Sequence, residues 1–231
     1  TGIPKDNPAA LVGPAVPDPK PEQEYAALDA AMRHVAEQGV TSVHNMGTWR
    51  HLEIFGRAHR AGRLRTRIYS AVPISTWERL RDHVATAGRG DDWLRWGALK
   101  GFVDGSLGSP TAAMLGPFSD APGDTGLFVN TPENLYAWTK GADAAGLHVL
   151  IHAIADRANR TLLDIYERVA RKSVQPARDR RFRIEHAQHL APQEIPRFAR
   201  LGVIASMQPY HAIDDGRWAE KFIGAERAKG T

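Results

Sequence analysis

Two rhythms of hydrophobic and polar positions alternate along the chain. From Glu22 to Gln38, Tyr25, Leu28, Met32 and Val35 recur every three or four residues. That is the period of a helix with one buried stripe, and Gly39 stands where such a helix stops. A short β-branched run follows, "GVTSVHNMG". The unit then repeats: helical stretches at Glu53 to Ala61, Trp77 to Ala87, Pro132 to Ala145, Arg157 to Arg171 and Pro192 to Leu201 lead in turn to five further apolar runs. These are "RIYSAVPI", "WGALKGFVDGS", "LHVLIHAIAD", "RFRIEHAQ" and "GVIASMQPYH". Strand-length apolar runs alternating with helices predict βαβ units and a parallel sheet of six strands.

Residues 1–20 hold Pro4, Pro8, Pro14, Pro17 and Pro19 and read as an irregular lead-in, which leaves 21–231 as one α/β domain. The chain opens on Thr1 and ends in what reads as the first turn of a helix, Ala225 to Thr231. A piece of a longer protein is the expectation.

A parallel sheet of six strands fits either a doubly wound fold or part of an eight-stranded barrel. The polar residues decide between them. Nearly every run ends on its C-terminal side in groups able to do chemistry: His44 and Asn45, Lys100 and Asp104, His152 and Asp156, His186, then Gln208 and His211. Barrels gather their sites at that face from several strands, whereas a doubly wound sheet concentrates them at one switch point and carries a glycine-rich turn that is missing here. A partial (β/α)8 barrel is therefore expected. The long connection from Gly105 to Thr131 is of a length usual for lids and binding loops.

Composition narrows the function classes. The net charge is only +4 and the arginines are scattered, which argues against nucleic-acid binding. No apolar run reaches membrane-spanning length and no leader is visible, so a cytoplasmic protein without a membrane partner is expected. With no cysteine, any metal must be held by His, carboxylate or a modified Lys.

Strand alternation places His148, Leu150 and His152 on one face of their strand, and Phe182, Ile184 and His186 on one face of the next. If the terminal histidines point inward, they rise toward one spot, with Lys100 at equivalent height on the preceding strand. Neutral imidazole binds zinc well. A lysine ammonium repels a cation, but a desolvated amine can add carbon dioxide, and the resulting carbamate can bridge two metals. Water activated by the metal then attacks an amide-type carbonyl. The plainer readings are a hydrogen-bonded histidine at a strand end, a snorkelling Lys100, Asp156 as a cap of the following helix, and His211 and Asp214 as ordinary solvated residues of a loop. A Schiff-base role for Lys100 is a further alternative.

"LKGFVDGSLGSPTA", "IHAIADRANRTLL", "RIEHAQHL" and "SMQPYHAIDD", in that order, resemble the signature blocks of the amidohydrolase superfamily. The likeness is strongest to amidohydrolase family 3, the YtcJ-like metal-dependent hydrolases related to N-substituted formamide deformylase. "KDNPAALV" and "GVTSVHNMG" resemble that family's lead-in and second strand, so the resemblance covers essentially the whole chain. It implies a (β/α)8 barrel with metal ligands from a first-strand His-x-His, a fourth-strand Lys, a His each on strands five and six, and an eighth-strand Asp. By motif, Lys100, His152 and His186 take the middle three places, and the chain corresponds to strands two to seven. No His-x-His occurs here, and the Asp expected to act as general acid/base lies beyond these residues. Ala155 and Asn45 stand where Gly and Asp are common in the family, neither at a ligand position.

The implied function is hydrolysis of a non-peptide C–N bond, amide, N-acyl or N-formyl, in a small molecule. One or two divalent ions, zinc by preference, would serve, with Asp104, Ser106, Gln208 and His211 near the substrate. A homo-oligomer is compatible with this reading. The alternative is a truncated or non-catalytic barrel that binds a small molecule or partner.

Overall fold

The computed structural model describes residues 13–174 and 179–229; the "KDNPAALV" block lies outside them. Two compact units divide the chain, one running from Pro14 to Lys100 and the other built mainly from Gly101 onward.

In the first unit, helix α1 (Pro21–Glu37) begins on a proline, whose missing N–H would have had no helical partner anyway. The Gln23 side chain turns back to accept the Lys20 N–H at 2.8 Å. Gly39, at φ +75°, lets the chain leave the helix. Strand β1 (Ser42–Met46) leads to α2 (Trp49–Arg60). The Thr48 hydroxyl caps that helix by accepting the His51 N–H, and Leu52, Phe55 and Ala58 supply its buried stripe. Strand β2 (Arg67–Pro73), helix α3 (Trp77–Ala87) and strand β3 (Leu94–Phe102) complete the pattern.

Parallel register runs from Ser42↔Arg67 to Met46↔Ala71, and from Ile68↔Leu94 to Pro73↔Lys100. Between Ser70 and Ala71 the second register slips. Gly97, at φ +118°, is the extra residue, and a Cβ there would stand 2.3 Å from the Arg89 guanidinium. Residues in register share a face, so the bulge moves Lys100 onto the face of Tyr69 and Ala71 and off that of Leu94 and Trp96. Lys100 ends only 7% exposed.

The second unit carries strands β4 (His148–Ala153), β5 (Arg183–His186) and β6 (Ile204–Ser206). Helices α4 (Pro132–Ala144), α5 (Asp156–Lys172) and α6 (Ile195–Leu201) alternate with them. Helix α5 shows the amphipathic stripe most clearly, burying Ala158, Leu162, Ile165, Tyr166 and Val169. Strand order follows the chain from β1 to β6, and the registered pairs are parallel. The fold class is α/β of the partial (β/α)8 barrel type, as the alternation predicts. Among the described residues, no helix is long and apolar enough to cross a membrane.

The segment after strand β6 departs from its sequence reading. His211 and Asp214, expected in an open loop, instead form helix α7 (His211–Asp214), followed by α8 (Gly216–Ile223) and α9 (Ala225–Ala228). The connection from Gly105 to Thr131 is not a loose lid either. Its Leu107, Met114 and Phe118 are buried in one cluster with Ile154, Ala155, Ala219 and Ile223. Apolar burial, which spacing does not reveal in a segment without periodicity, has made this loop part of the core.

Candidate active site

Strand β4 carries His152 and β5 carries His186, but their register pairs His152 with Glu185 and His186 with Ala153. Strict alternation would leave His186 on the side of Ile184 and Phe182. Phe182 faces α5, where its ring stacks on Tyr166 at 4.5 Å. The main chain breaks the alternation at this point: His186 has φ +76° and Ala187 φ +46°. Left-handed backbone costs a non-glycine residue about 1–2 kcal/mol, and such strain persists where the surroundings enforce it, often at functional sites. It delivers the His186 ring to 4.7 Å from that of His152, at 74°.

The surroundings fix both rings. His152 Nε2 lies 2.8 Å from the Gly105 carbonyl oxygen, and the Phe102 ring is 5.5 Å away. His186 Nδ1 lies 2.7 Å from Gln208 Oε1, while the same amide donates from Nε2 to the Ser206 carbonyl at 3.2 Å. His211 stacks on His186 with centroids 5.4 Å apart. The structure thus brings His152 and His186, in the last residues of β4 and β5, together with Gln208 and His211, which follow β6, into one group at the C-terminal ends of the strands. Lys100 belongs to the first unit, at the end of β3.

Asp104 and Ser106 do different work. Asp104 is 1% exposed, and its carboxylate accepts main-chain N–H groups from Ala113 at 2.9 Å, Ile154 at 3.0 Å and Ala155 at 3.1 Å. It braces the connecting loop against the end of β4. Burial pushes this carboxyl up to about 7, against the pull of the three amides. The Ser106 hydroxyl stands 2.9 Å from that of Ser109, and its N–H donates to the Thr111 hydroxyl, so Ser106 is engaged inside its own turn. His148 bonds the Arg181 carbonyl at 2.7 Å, at the other end of β4.

Two charges beside the site find partners that sequence does not show. Glu185, buried in β5, pairs with the Arg183 guanidinium two residues earlier on the same face. Asp156, expected as a helix cap, is the first residue of α5 and not its cap; Ala155 takes the cap position without a side-chain bond. The Asp156 carboxylate instead accepts the Leu115 N–H at 2.7 Å and the Arg157 N–H at 2.8 Å. Neither the brace at Asp104 nor the left-handed step at His186 leaves a trace in residue spacing. Among the described residues, no group of three or more His, Asp or Glu side chains is arranged to hold a metal ion.

His189, three residues beyond His186, is a built-in acid sensitivity. Burial pushes its imidazole down from 6.5 to about 4, against the attraction of Asp215 and Asp156 and with the repulsion of His211 and Arg227. Its folded-state pKa lies below the unfolded value, so its contribution is complete above pH 6.5 and is lost as pH falls through about 4. Chemical denaturation at pH 7 and pH 4 should differ by on the order of 3 kcal/mol from this group. The difference should shrink by that amount in His189→Asn, and an unchanged pH dependence in the variant rejects the assignment.

A parallel α/β sheet of barrel type, with imidazoles gathered at the C-terminal ends of its strands, defines the class. The chain belongs to the amidohydrolase family, whose model matches residues 1–231. It is similar to Protein LONG AFTER FAR-RED 3 of Arabidopsis thaliana, 40% identical over 240 residues that cover 99% of this chain and 41% of that protein. It is also similar to Putative amidohydrolase YtcJ of Bacillus subtilis (strain 168), 28% identical over 99% of this chain and 43% of that protein. Among solved structures, an uncharacterized metal-dependent hydrolase from Pyrococcus furiosus superimposes with a TM-score of 0.83 at 27% identity, covering 97% of this chain and 45% of that one. Its counterpart from Pyrococcus horikoshii OT3 gives 0.82 at 29% identity, with 97% and 44% covered. The chain spans about two-fifths of the length of the curated relatives it matches.

Proposed function

We propose that this chain is part of a metal-dependent hydrolase that cuts a non-peptide C–N bond in a small amide, N-acyl or N-formyl compound. The observation that carries the reading is the pair of imidazoles, His152 and His186, brought to 4.7 Å by a strained main-chain step. Their chemistry suits a divalent ion. Each ring has one nitrogen anchored, to the Gly105 carbonyl or to Gln208, as metal-ligating histidines commonly do. The family membership and the similarity to two archaeal metal-dependent hydrolases support the hydrolase and metal parts of this reading.

In this reading His152 and His186 hold the ion, with zinc favoured by imidazole donors. The resemblance to the family motif implies Lys100 as a further ligand, which would need carboxylation to serve, since an ammonium would repel a cation. Bound there, the ion supplies Lewis acidity, polarising a carbonyl and easing loss of a proton from water. This chain's residues orient the ligands and meet the substrate: Gly105 and Gln208 set the ring planes, and His211 stands beside His186 on the approach. Asp104 acts from below, as a positioning residue through the loop it braces and through His152, whose Nε2 is 3.5 Å from its Oδ1.

Metal analysis of the full-length protein tests this. Reconstituted wild type is expected to retain at least one divalent ion per chain through gel filtration, and His186→Ala to lose half or more of it. Wild type that emerges without metal overturns the reading.

A further inference from the structure

The two imidazoles do not sit in equivalent hydrogen-bonding environments. A main-chain carbonyl can only accept, so the 2.8 Å contact between His152 Nε2 and the Gly105 oxygen requires the proton on Nε2. That leaves the His152 lone pair on Nδ1. Around His186 the logic reverses. The Gln208 amide is oriented by its own donation to the Ser206 carbonyl, at 3.2 Å, which turns Oε1 toward His186. An amide oxygen also only accepts, so at 2.7 Å His186 Nδ1 must donate, and its lone pair is on Nε2.

The geometry points to opposite neutral tautomers in the facing pair, Nε2–H in His152 and Nδ1–H in His186, with Gln208 as the positioning residue that selects the second. This rests on the hydrolase reading only for its consequence, that the two rings offer unlike nitrogens to one cation; the tautomers themselves follow from the hydrogen bonds. Gln208 was placed near the substrate by sequence. Its role here is through His186: Ser206 in β6 orients Gln208, and Gln208 orients the imidazole. The left-handed step at His186 and Ala187 is consistent with this, since the His186 ring then meets Gln208 in the segment that follows β6.

Long-range nitrogen–proton NMR of the metal-free full-length protein, labelled with 15N-histidine and assigned by His152→Gln and His186→Gln, reads both tautomers directly. Wild type should show His186 as Nδ1–H and His152 as Nε2–H. In Gln208→Leu, His186 should shift toward Nε2–H while His152 keeps its signature. In Gln208→Glu, which still presents an acceptor, His186 should remain Nδ1–H. Zinc affinity measured by chelator competition should fall 10- to 100-fold in Gln208→Leu, the usual range for losing a partner of a ligating histidine, with the apo melting temperature unchanged. Wild-type His186 found as Nε2–H, or a Gln208→Leu spectrum and affinity both unaltered, overturns the inference. Wild type that binds no zinc yet shows the expected tautomers sinks the hydrolase reading and leaves the role of Gln208 standing.

Discussion

Replacing Asp104 with alanine is expected to destabilise the unit that begins at Gly101 by at least ~3 kcal/mol, because three buried main-chain donors each lose an acceptor at roughly 1–3 kcal/mol. The donors are the N–H groups of Ala113, Ile154 and Ala155, all in buried residues where water cannot replace the carboxylate. The substitution also cuts the tie between the loop and the end of β4, so the loss should be cooperative with that of His152 positioning. Asp104→Asn is nearly isosteric and serves as the sharper probe. Its oxygen can keep the amides of Ala113 and Ala155, which share Oδ2, but its N–H₂ then faces the Ile154 amide on the other side, donor against donor. Denaturant unfolding should therefore place Asn between wild type and Ala, still more than ~1 kcal/mol below wild type. Either variant within ~1 kcal/mol of wild type would mean that the brace is not what holds this region.

Gly126→Ala is expected to cost about 2–4 kcal/mol, through backbone strain and a collision that no rotamer can avoid. Gly126 has φ +71°, and a Cβ there would stand 1.9 Å from the Ala112 carbonyl oxygen and 2.6 Å from its carbon. Because the obstacle is main chain, relief requires moving Ala112, and with it Ala113, whose N–H reaches Asp104. The strain is thus passed to the same brace. Gly123→Ala, in the same loop but with nothing within 4 Å of the added carbon, is the control and should stay within ~0.5 kcal/mol of wild type. Equal melting temperatures for the two alanine variants would refute the close approach.

Periodicity made the alternating elements legible. Tyr25, Leu28, Met32 and Val35 mark α1 within a residue or two at each end, and all six apolar runs became strands. These signals are local: a helix or a parallel strand buries a face whose spacing is set by backbone geometry alone. What failed was whatever depended on a partner distant in sequence. The Gly97 bulge escaped because a single glycine in an apolar run has no fixed meaning. Helices α7 and α8 escaped because the sequence reading treated His211 and Asp214 as solvated loop polars, whereas Ala219 and Ile223 find their burial against Leu107, Met114 and Phe118, about a hundred residues earlier.

The candidate site divides the same way. Sequence alone determined that this chain alternates strands and helices, that its chemically able groups fall at the C-terminal ends of those strands, and which residue types stand there. Tertiary structure decided where they point. Simple alternation sends His186 toward the helices, and only the left-handed step at His186 and Ala187, held in place by packing and by Gln208, turns it to His152. Likewise Asp104 carries the same carboxylate wherever it lies, but three amides from distant positions convert it from a candidate substrate contact into a brace. Identity and period are written in neighbouring residues; orientation, burial and hydrogen-bond partnership are set by contacts that exist only once the chain has folded.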